Sequence, residues 1–276
     1  MSLFARRLWG AFRRTLPACI AQTQAIAFNM FLALAPTVVL VLGIVAVSHG
    51  LRVGLLDTVR PFRAMLPPGM FQIIADFLDE PSTHAWRLIL LGLGGSLLAG
   101  GQMMRLVMGG LQMVYKDSEV LGYWNRNLRA LLLLAIAIAP WLMTTMLVGF
   151  GRQMRTRIIG SGQWPPLVAA LWPVLYFAAT LVVVMALLAV IYRIGRPCCG
   201  GWAAVVRGAA VAGVLWWFVS WAFGVYMRTV PYRALYGGLE VAIGLMVWME
   251  LTATVILIGA AFNAECAGSV VSAGSA

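Results

Sequence analysis

The chain has 276 residues, of which 62% are hydrophobic and only 11% are charged. A soluble domain carries about 25% charged residues because its surface must be solvated, so this composition excludes a water-soluble globule. The net charge of +11 would suggest a nucleic-acid partner in a soluble protein, but beside so much apolar surface it indicates attraction to anionic lipid headgroups.

The first segment, residues 1–20, is predicted to be an amphipathic helix that lies in the membrane interface. Apolar residues recur at helical spacing on one face, and arginines occupy the other. A merely solvated basic leader is the alternative interpretation. The residues are Phe4, Leu8 and Phe12 on the apolar face, and Arg6, Arg7, Arg13 and Arg14 on the basic face.

Six further stretches are apolar over roughly the 20 residues that a helix needs to cross the hydrocarbon core. Helices are favoured because each satisfies its backbone hydrogen bonds within its own segment. We therefore predict an all-α integral membrane protein, a single membrane domain over residues 1–276 with six transmembrane helices and the N-terminal interfacial helix. The predicted spans are approximately Ala25–Val47, Trp86–Met104, Leu128–Gly149, Leu167–Tyr192, Gly208–Met227 and Gly238–Phe262.

The four arginines before the first span predict a cytoplasmic N-terminus, because basic residues concentrate on that side of a membrane. Six spans then return the C-terminus to the cytoplasm. All four cysteines fall on the predicted cytoplasmic side, where thiols stay reduced.

Polar residues inside the spans are the candidates for function, since an ionisable group at mid-bilayer is costly. Glu250 lies in the middle of the last span beside Thr252 and Thr254, and Asn29 lies within the first span. Two interpretations are open. These residues line a substrate cavity between helices, or a protonated Glu250 bonds to a neighbouring helix and holds the bundle together.

Other residues favour structural roles. Glu240 lies nearer the outer end of the last span and is a candidate for an ion pair with Arg233 or Arg228. Arg105 closes the predicted second span and is expected to extend its guanidinium to the headgroups. Small residues spaced four apart predict two faces on which helices approach closely. These are Gly92, Ser96 and Gly100 in the second span, and Gly208 and Ala212 in the fifth.

Motifs of catalysis and metal binding are missing from the sequence: there is no H-E-x-x-H, C-x-x-C, G-x-S-x-G or Walker A pattern. We therefore predict no enzymatic activity, no cofactor and no metal site. We expect membrane lipids and their anionic headgroups as partners, expect no nucleic acid, and leave open whether the chain forms a homo-oligomer.

Several motifs resemble the YihY/BrkB family of bacterial inner-membrane proteins. They are A-I-A-F-N-M-F-L-A-L-A-P (Ala25–Pro36), L-Y-G-G-L (Leu235–Leu239), W-M-E-L-T-A, G-A-A-F-N-A-E (Gly259–Glu265) and the segment Tyr115–Ala130. The last-span motif usually reads G-A-E-x-N-A-E in the family, so Ala261 departs from it. Glu250 and Glu240 stand where the family usually has an aromatic and a small residue. The matching motif residues are Pro36, Tyr236, Gly237, Gly259, Asn263 and Glu265.

The resemblance implies six spans, cytoplasmic termini and residence in the inner membrane. Members of the family have been described as virulence or serum-resistance factors, linked to lipid or lipopolysaccharide-precursor export, and formerly labelled ribonuclease BN. Three functions follow: a transporter or lipid-handling protein, a non-catalytic scaffold or envelope assembly factor, and a nuclease. The nuclease is disfavoured because the predicted cytoplasmic loops and chain end offer only Asp117, Glu119 and Glu265 as acids, and no histidine.

Overall fold

The computed structural model describes residues 3–47, 85–115, 122–138, 166–195, 202–229 and 239–273, and these ranges are almost wholly helical. Together with the membrane-length apolar helices, this confirms the prediction of an all-α membrane protein. The helices are α1 (Leu3–Val47), α2 (Ala85–Tyr115), α3 (123–138), α4 (Pro166–Ile194), α5 (Trp202–Thr229) and α6 (Leu239–Ala273).

Four of these helices contain apolar segments long enough to cross a membrane: Cys19–Ile44, Ala85–Tyr115, Val205–Thr229 and Leu239–Cys266. The remaining two predicted spans run partly through residues outside the described ranges. α3 is described only to residue 138, and the apolar part of α4 covers Ala178–Ile194. The chain is therefore a multi-pass membrane protein, and the count of six spans stays a prediction.

α1 joins the predicted interfacial segment and the first predicted span into one helix of 45 residues. At 1.5 Å per residue a straight helix of this length would measure about 68 Å, roughly twice the thickness of the hydrocarbon core. Its basic first turns must therefore extend beyond the part that crosses the bilayer. That these turns lie in the membrane interface stays a prediction.

α6 is the central helix of the described bundle, because it packs against α1, α2 and α5, while α4 packs against α5. α1 and α6 run antiparallel. A Cβ atom at Gly10 would lie 3.8 Å from the Glu265 carboxylate. Gln22 comes later in α1 and Leu257 comes earlier in α6, and both of these residues border Gly110 of α2.

The hydrophobic core receives side chains from all six helices, and they come mainly from one half of the bundle. We call this the packed half: it comprises Cys19–Met30 of α1, Met104–Leu111 of α2 and Met249–Cys266 of α6, with the parts of α3, α4 and α5 that meet them. Outside it, described apolar side chains such as Leu91 and Leu98 are 70% and 76% exposed, and these surfaces are suited to lipid.

Small residues bring α1 and α2 into close contact. A Cβ atom at Gly92 would overlap the backbone of Leu40, and one at Gly95 would lie 2.7 Å from the Pro36 ring. Ser96 lies one helical turn after Gly92, and its hydroxyl oxygen is 3.2 Å from that of Thr37. The predicted small-residue face of α2 is thereby confirmed, although its last member, Gly100, packs against Leu134 of α3 instead of α1.

Replacing Gly92 by alanine is expected to lower the free energy of unfolding by about 1–3 kcal/mol, because the new methyl group must displace the Leu40 backbone. Thermal unfolding of the full-length protein in detergent micelles measures the change. Gly94→Ala is the matched control on the same helix, because a Cβ atom there meets nothing within 4 Å. Equal midpoints for the two variants would contradict this account of the α1–α2 contact.

Candidate functional site

Most of the predicted site residues lie on α6, where helical spacing divides them between two faces. One face carries residues at positions 252, 259 and 263 and packs against α5. The other carries positions 250, 254 and 265 and turns towards α1. The predicted members are Thr252, Gly259 and Asn263 on the first face, and Glu250, Thr254 and Glu265 on the second.

The α5 face of α6 is held by the buried carboxamide of Asn263. Its Oδ1 accepts a hydrogen bond from the Gly208 backbone N–H at 2.7 Å. Its Nδ2 donates to the Val205 carbonyl at 3.1 Å. A Cβ atom at Gly208 would overlap both Asn263 and the carbonyl oxygen of Gly259. The family-motif residues Gly259 and Asn263 thus fasten α6 to the first turns of α5.

Tyr192 attaches α4 to the same face. Its side chain is only 2% exposed, and its hydroxyl donates to the Ile256 carbonyl at 2.7 Å. A Cβ atom at Gly259 would lie 2.6 Å from that hydroxyl, so a larger residue there would displace the tyrosine. Tyr192 is not predicted as a site residue from the sequence. An aromatic residue near the end of a span is as typical of an interfacial anchor as of a contact between helices.

Thr252 belongs to this α5 face rather than to a cavity shared with Glu250. Its hydroxyl accepts a hydrogen bond from Trp216 Nε1 at 3.3 Å and donates to the Trp248 carbonyl at 2.9 Å. Trp248 Nε1 in turn donates to the Ser220 hydroxyl at 3.3 Å. The two indoles are packed edge to face, with ring centroids 6.2 Å apart. The Trp216–Thr252 and Trp248–Ser220 hydrogen bonds therefore join α5 to α6.

The α1 face carries Glu250 and Thr254. The Thr254 hydroxyl donates to the Glu250 backbone carbonyl at 2.8 Å, within the same helix. The Glu250 side chain is partly buried, and no side chain or backbone group of the described residues hydrogen-bonds its carboxylate. Asn29 on α1 is also partly buried, and its amide donates to the Ala25 carbonyl at 2.9 Å.

Glu250 and Asn29 lie at about the same depth in the bundle. Gln22 and Leu257 both border Gly110, with side-chain carbons 3.3 Å and 2.9 Å from its Cβ position. Asn29 follows Gln22 by seven residues, and Glu250 precedes Leu257 by seven. Since α1 and α6 are antiparallel, both steps go two turns, or about 10 Å, in the same direction and keep the same helical face.

Among the other predicted residues, Pro36 packs on Gly95, and Glu265 lies beside Gly10 near the start of α1. Tyr236, Gly237 and Arg233 lie outside the described residues, so the Glu240–Arg233 ion pair stays a prediction. Glu240 itself stands in the first turn of α6, where the positive end of the helix dipole favours an acidic side chain.

A second polar group, the α2–α3 arginine cluster, consists of Gln102, Arg105, Arg126 and Asn127. Arg105 Nη1 donates to Asn127 Oδ1 at 2.6 Å, and its Nε donates to Gln102 Oε1 at 3.0 Å. Arg126 Nη2 donates to the Arg105 carbonyl at 3.4 Å. Arg126 Nε is buried and has no hydrogen-bond partner among the described residues.

The helix that carries Arg105 is longer than the predicted span. α2 continues for ten residues past Arg105 to Tyr115, and that the guanidinium of this arginine extends to the headgroups stays a prediction. Its guanidinium is bound between α2 and α3 by neutral side chains. The segment W-N-R-N-L-R enters the sequence-based predictions only as part of a family motif. Its contact with Arg105 is not predicted, because a sequence does not show which residues of another helix a segment contacts.

Metal binding finds no support in the described ranges, where no three His, Cys, Asp or Glu side chains come together. Both histidines, His49 and His84, lie outside those ranges. Cys19 and Cys266 are buried in the packed half, and neither is part of a disulfide among the described residues.

Comparison with known proteins places the chain in a family. Residues 19–274 match the family model described as virulence factor BrkB. The chain belongs to the BrkB family. This BrkB family member is also 24% identical over 181 residues to a Bacillus subtilis (strain 168) protein named putative ribonuclease-like protein YfkH, covering 64% of this chain and 65% of that relative. No solved structure matches it.

The family match confirms the resemblance inferred from the sequence motifs and covers the described parts of α2 to α6 and most of α1. The match to YfkH spans about two thirds of either chain, so any activity of that relative as a whole is not transferred to this one.

Proposed function

We propose that this BrkB family member is a non-enzymatic inner-membrane protein that binds and moves a lipid or another amphipathic envelope component, with both termini in the cytoplasm. The partners are membrane lipids and their anionic headgroups. Glu250 is the polar group that contacts the bound component inside the membrane, with Asn29 and Thr254 beside it. The family's description as a virulence factor supports a role in the bacterial envelope.

The observation that carries this proposal is the position of Glu250. It lies 11 residues after the start of the span Leu239–Cys266, with about 16 Å of helix on one side and 24 Å on the other. An acidic group at this depth costs roughly 3 kcal/mol to insert. Because no described residue hydrogen-bonds its carboxylate, the bundle recovers little of that cost through the described contacts.

The surroundings of Glu250 also support a ligand-binding role. Glu250 lies at the edge of the packed half, next to Met249, where the run of buried residues on α6 begins. Towards the start of α6, on the same helical face as Glu250, Leu239, Ile243 and Val247 are 64%, 39% and 40% exposed. An acyl chain or another apolar segment could lie on this side while a polar group meets the Glu250 carboxylate.

The second candidate function is a non-catalytic scaffold or envelope assembly factor. The tight α5–α6 contact around Gly208 and Asn263 supports it, since such packing needs no ligand. Under this alternative Glu250 has no ligand, and its replacement changes at most stability. The ribonuclease-like name of the relative is not carried over to this chain.

Glu250→Gln separates the two candidates. In native mass spectrometry of protein released from bacterial membranes, we expect wild type to retain a defined lipid or precursor. The variant should bind it about tenfold more weakly, because one charge-assisted hydrogen bond is lost. Its thermal stability should be unchanged or higher, since an unpaired charge is removed from the span.

The matched control is Glu240→Gln, the same change at the first turn of α6, which should alter lipid retention less than twofold. If wild type and Glu250→Gln carry only bulk phospholipid in equal amounts, lipid handling through Glu250 is refuted and the scaffold becomes the better account. A loss of stability in Glu250→Gln would instead assign Glu250 to holding helices together.

A further inference from the structure

We propose that Arg105 and Arg126 of the α2–α3 arginine cluster form a binding site for a phosphate group, carried by an anionic lipid headgroup or by a soluble phosphate. The inference does not depend on the proposed transport function. It starts from two arginine side chains at the contact between α2 and α3: Arg105 bonds to Asn127, the residue next to Arg126, and Arg126 bonds to the Arg105 backbone.

The charges of the cluster are unbalanced within the described residues. The hydrogen-bond acceptors of Arg105 are the amide oxygens of Gln102 and Asn127, and the acceptor of Arg126 is the Arg105 backbone carbonyl. All three acceptors are neutral. Both positive charges thus lie at the α2–α3 contact with no carboxylate among their described partners, an arrangement that favours an anion.

Arg126 also has unused hydrogen-bonding capacity. Within the described part of the chain its buried Nε has no hydrogen-bond partner, although an arginine presents five N–H donors. A buried donor without an acceptor is unfavourable, and a phosphate oxygen would satisfy it. The planar guanidinium matches the geometry of phosphate oxygens, which is why arginine is frequent in phosphate sites.

Gly109 leaves room for this arrangement. A Cβ atom there would lie 3.4 Å from Gln22 Nε2 and 3.7 Å from Arg126 Nη2. The Gln22 amide donates to the Leu106 carbonyl at 2.6 Å, so α1 is fastened to α2 next to the cluster. Arg126 is therefore positioned at a junction of three helices and not on a freely moving surface chain.

The position of Arg105 along α2 is consistent with the depth of lipid headgroups. Arg105 is 20 residues from the start of α2 at Ala85, or about 30 Å along the helix, which equals the thickness of the hydrocarbon core. Tyr123 and Trp124, at the start of α3, are 74% and 83% exposed, as expected for aromatic residues of the membrane interface. A lipid phosphate is thus available where the two arginines lie.

The test is native mass spectrometry of the full-length protein in detergent, titrated with dioctanoyl-phosphatidylglycerol. We expect Arg126→Gln to weaken binding of the first phosphatidylglycerol about tenfold, through loss of charge-assisted hydrogen bonds. Dioctanoyl-phosphatidylcholine should bind wild type more weakly than phosphatidylglycerol does, because its choline cation is repelled by the arginines. Its binding should be little affected by Arg126→Gln. Arg207→Gln, an exposed arginine on α5, is the matched control and should change binding less than twofold.

Inorganic phosphate distinguishes the two sources of the anion. If millimolar phosphate does not compete with phosphatidylglycerol, the anion is a lipid headgroup. If phosphate does compete, and does so only when Arg126 is present, the anion is a soluble phosphate. Equal effects of Arg126→Gln and Arg207→Gln would overturn the site. Arg126→Gln is also compared in a protein that carries Asp117→Asn and Glu119→Gln. If Arg126→Gln no longer weakens binding in that protein, one of these two acids is the partner of Arg126, and the phosphate site is overturned. If Arg126→Gln does not fold, Arg105→Gln provides the same comparison.

Discussion

Replacing Gly208 by alanine is expected to cause the largest loss of stability among single methyl additions to this protein, about 3 kcal/mol. The midpoint of thermal unfolding in detergent should fall by roughly 5–10 °C. The reason is the approach of two backbones. A Cβ atom at Gly208 would overlap the carbonyl oxygen of Gly259 and the carboxamide of Asn263, and a backbone carbonyl cannot rotate away as a flexible side chain can.

The control is Gly224→Ala on the same helix, where a Cβ atom meets nothing within 4 Å. Alanine is the better helix former by about 1 kcal/mol, so this variant should unfold at the same temperature as wild type or slightly higher. Thermal unfolding monitored by tryptophan fluorescence compares the two. If Gly208→Ala is as stable as Gly224→Ala, α5 and α6 do not meet as closely as described.

Asn263→Ala is expected to lower the free energy of unfolding by about 2 kcal/mol. The substitution removes both hydrogen bonds of the Asn263 carboxamide to α5 and leaves the Gly208 N–H and the Val205 carbonyl without this partner. Interhelical hydrogen bonds in membranes average only about 0.6 kcal/mol, but removing one partner of a buried pair costs about 1–3 kcal/mol. The cavity left in a buried position adds to this.

Asn263→Asp separates hydrogen bonding from shape. Aspartate keeps the volume and the acceptor for Gly208, but it replaces the donor to Val205 with an oxygen and buries a charge, so it should destabilise more than alanine does. Asn125→Ala, at an exposed position of α3, is the control and should fall within about 0.5 kcal/mol of wild type. A stable, monodisperse Asn263→Asp would contradict the role assigned to this carboxamide.

Sequence patterns predicted several of these features correctly. Asn263 and Gly259 were identified through the family motif, and Gly208 and Gly92 through small residues spaced four apart. Each signal reports a local property, such as a small side chain or an uninterrupted apolar run, that holds whatever the neighbouring helices are. The α5–α6 and α1–α2 contacts are therefore partly visible in the sequence, although the identity of the partner helix is not.

Other features depend on residues for which the sequence predicted a different partner or no role. Thr252 was grouped with Glu250 because the two are close in sequence, yet they lie on nearly opposite faces of α6, and Thr252 bonds to Trp216. Tyr192 and Arg126 gain their roles from the Ile256 and Arg105 carbonyls of other helices. Hydropathy and spacing carry no information about such partners.

The sequence by itself determined that this protein is helical and lies in a membrane, because backbone hydrogen bonding and the cost of burying charge depend on composition and segment length. It also identified Glu250 as the unusual acidic residue of the last span. Only the tertiary structure decided that Asn29 shares its depth, that Thr252 faces α5 and that Arg126 bonds to the backbone of Arg105 across the α2–α3 contact. Those relations arise from the antiparallel packing of helices distant in sequence, and many sequences of the same composition would pack differently.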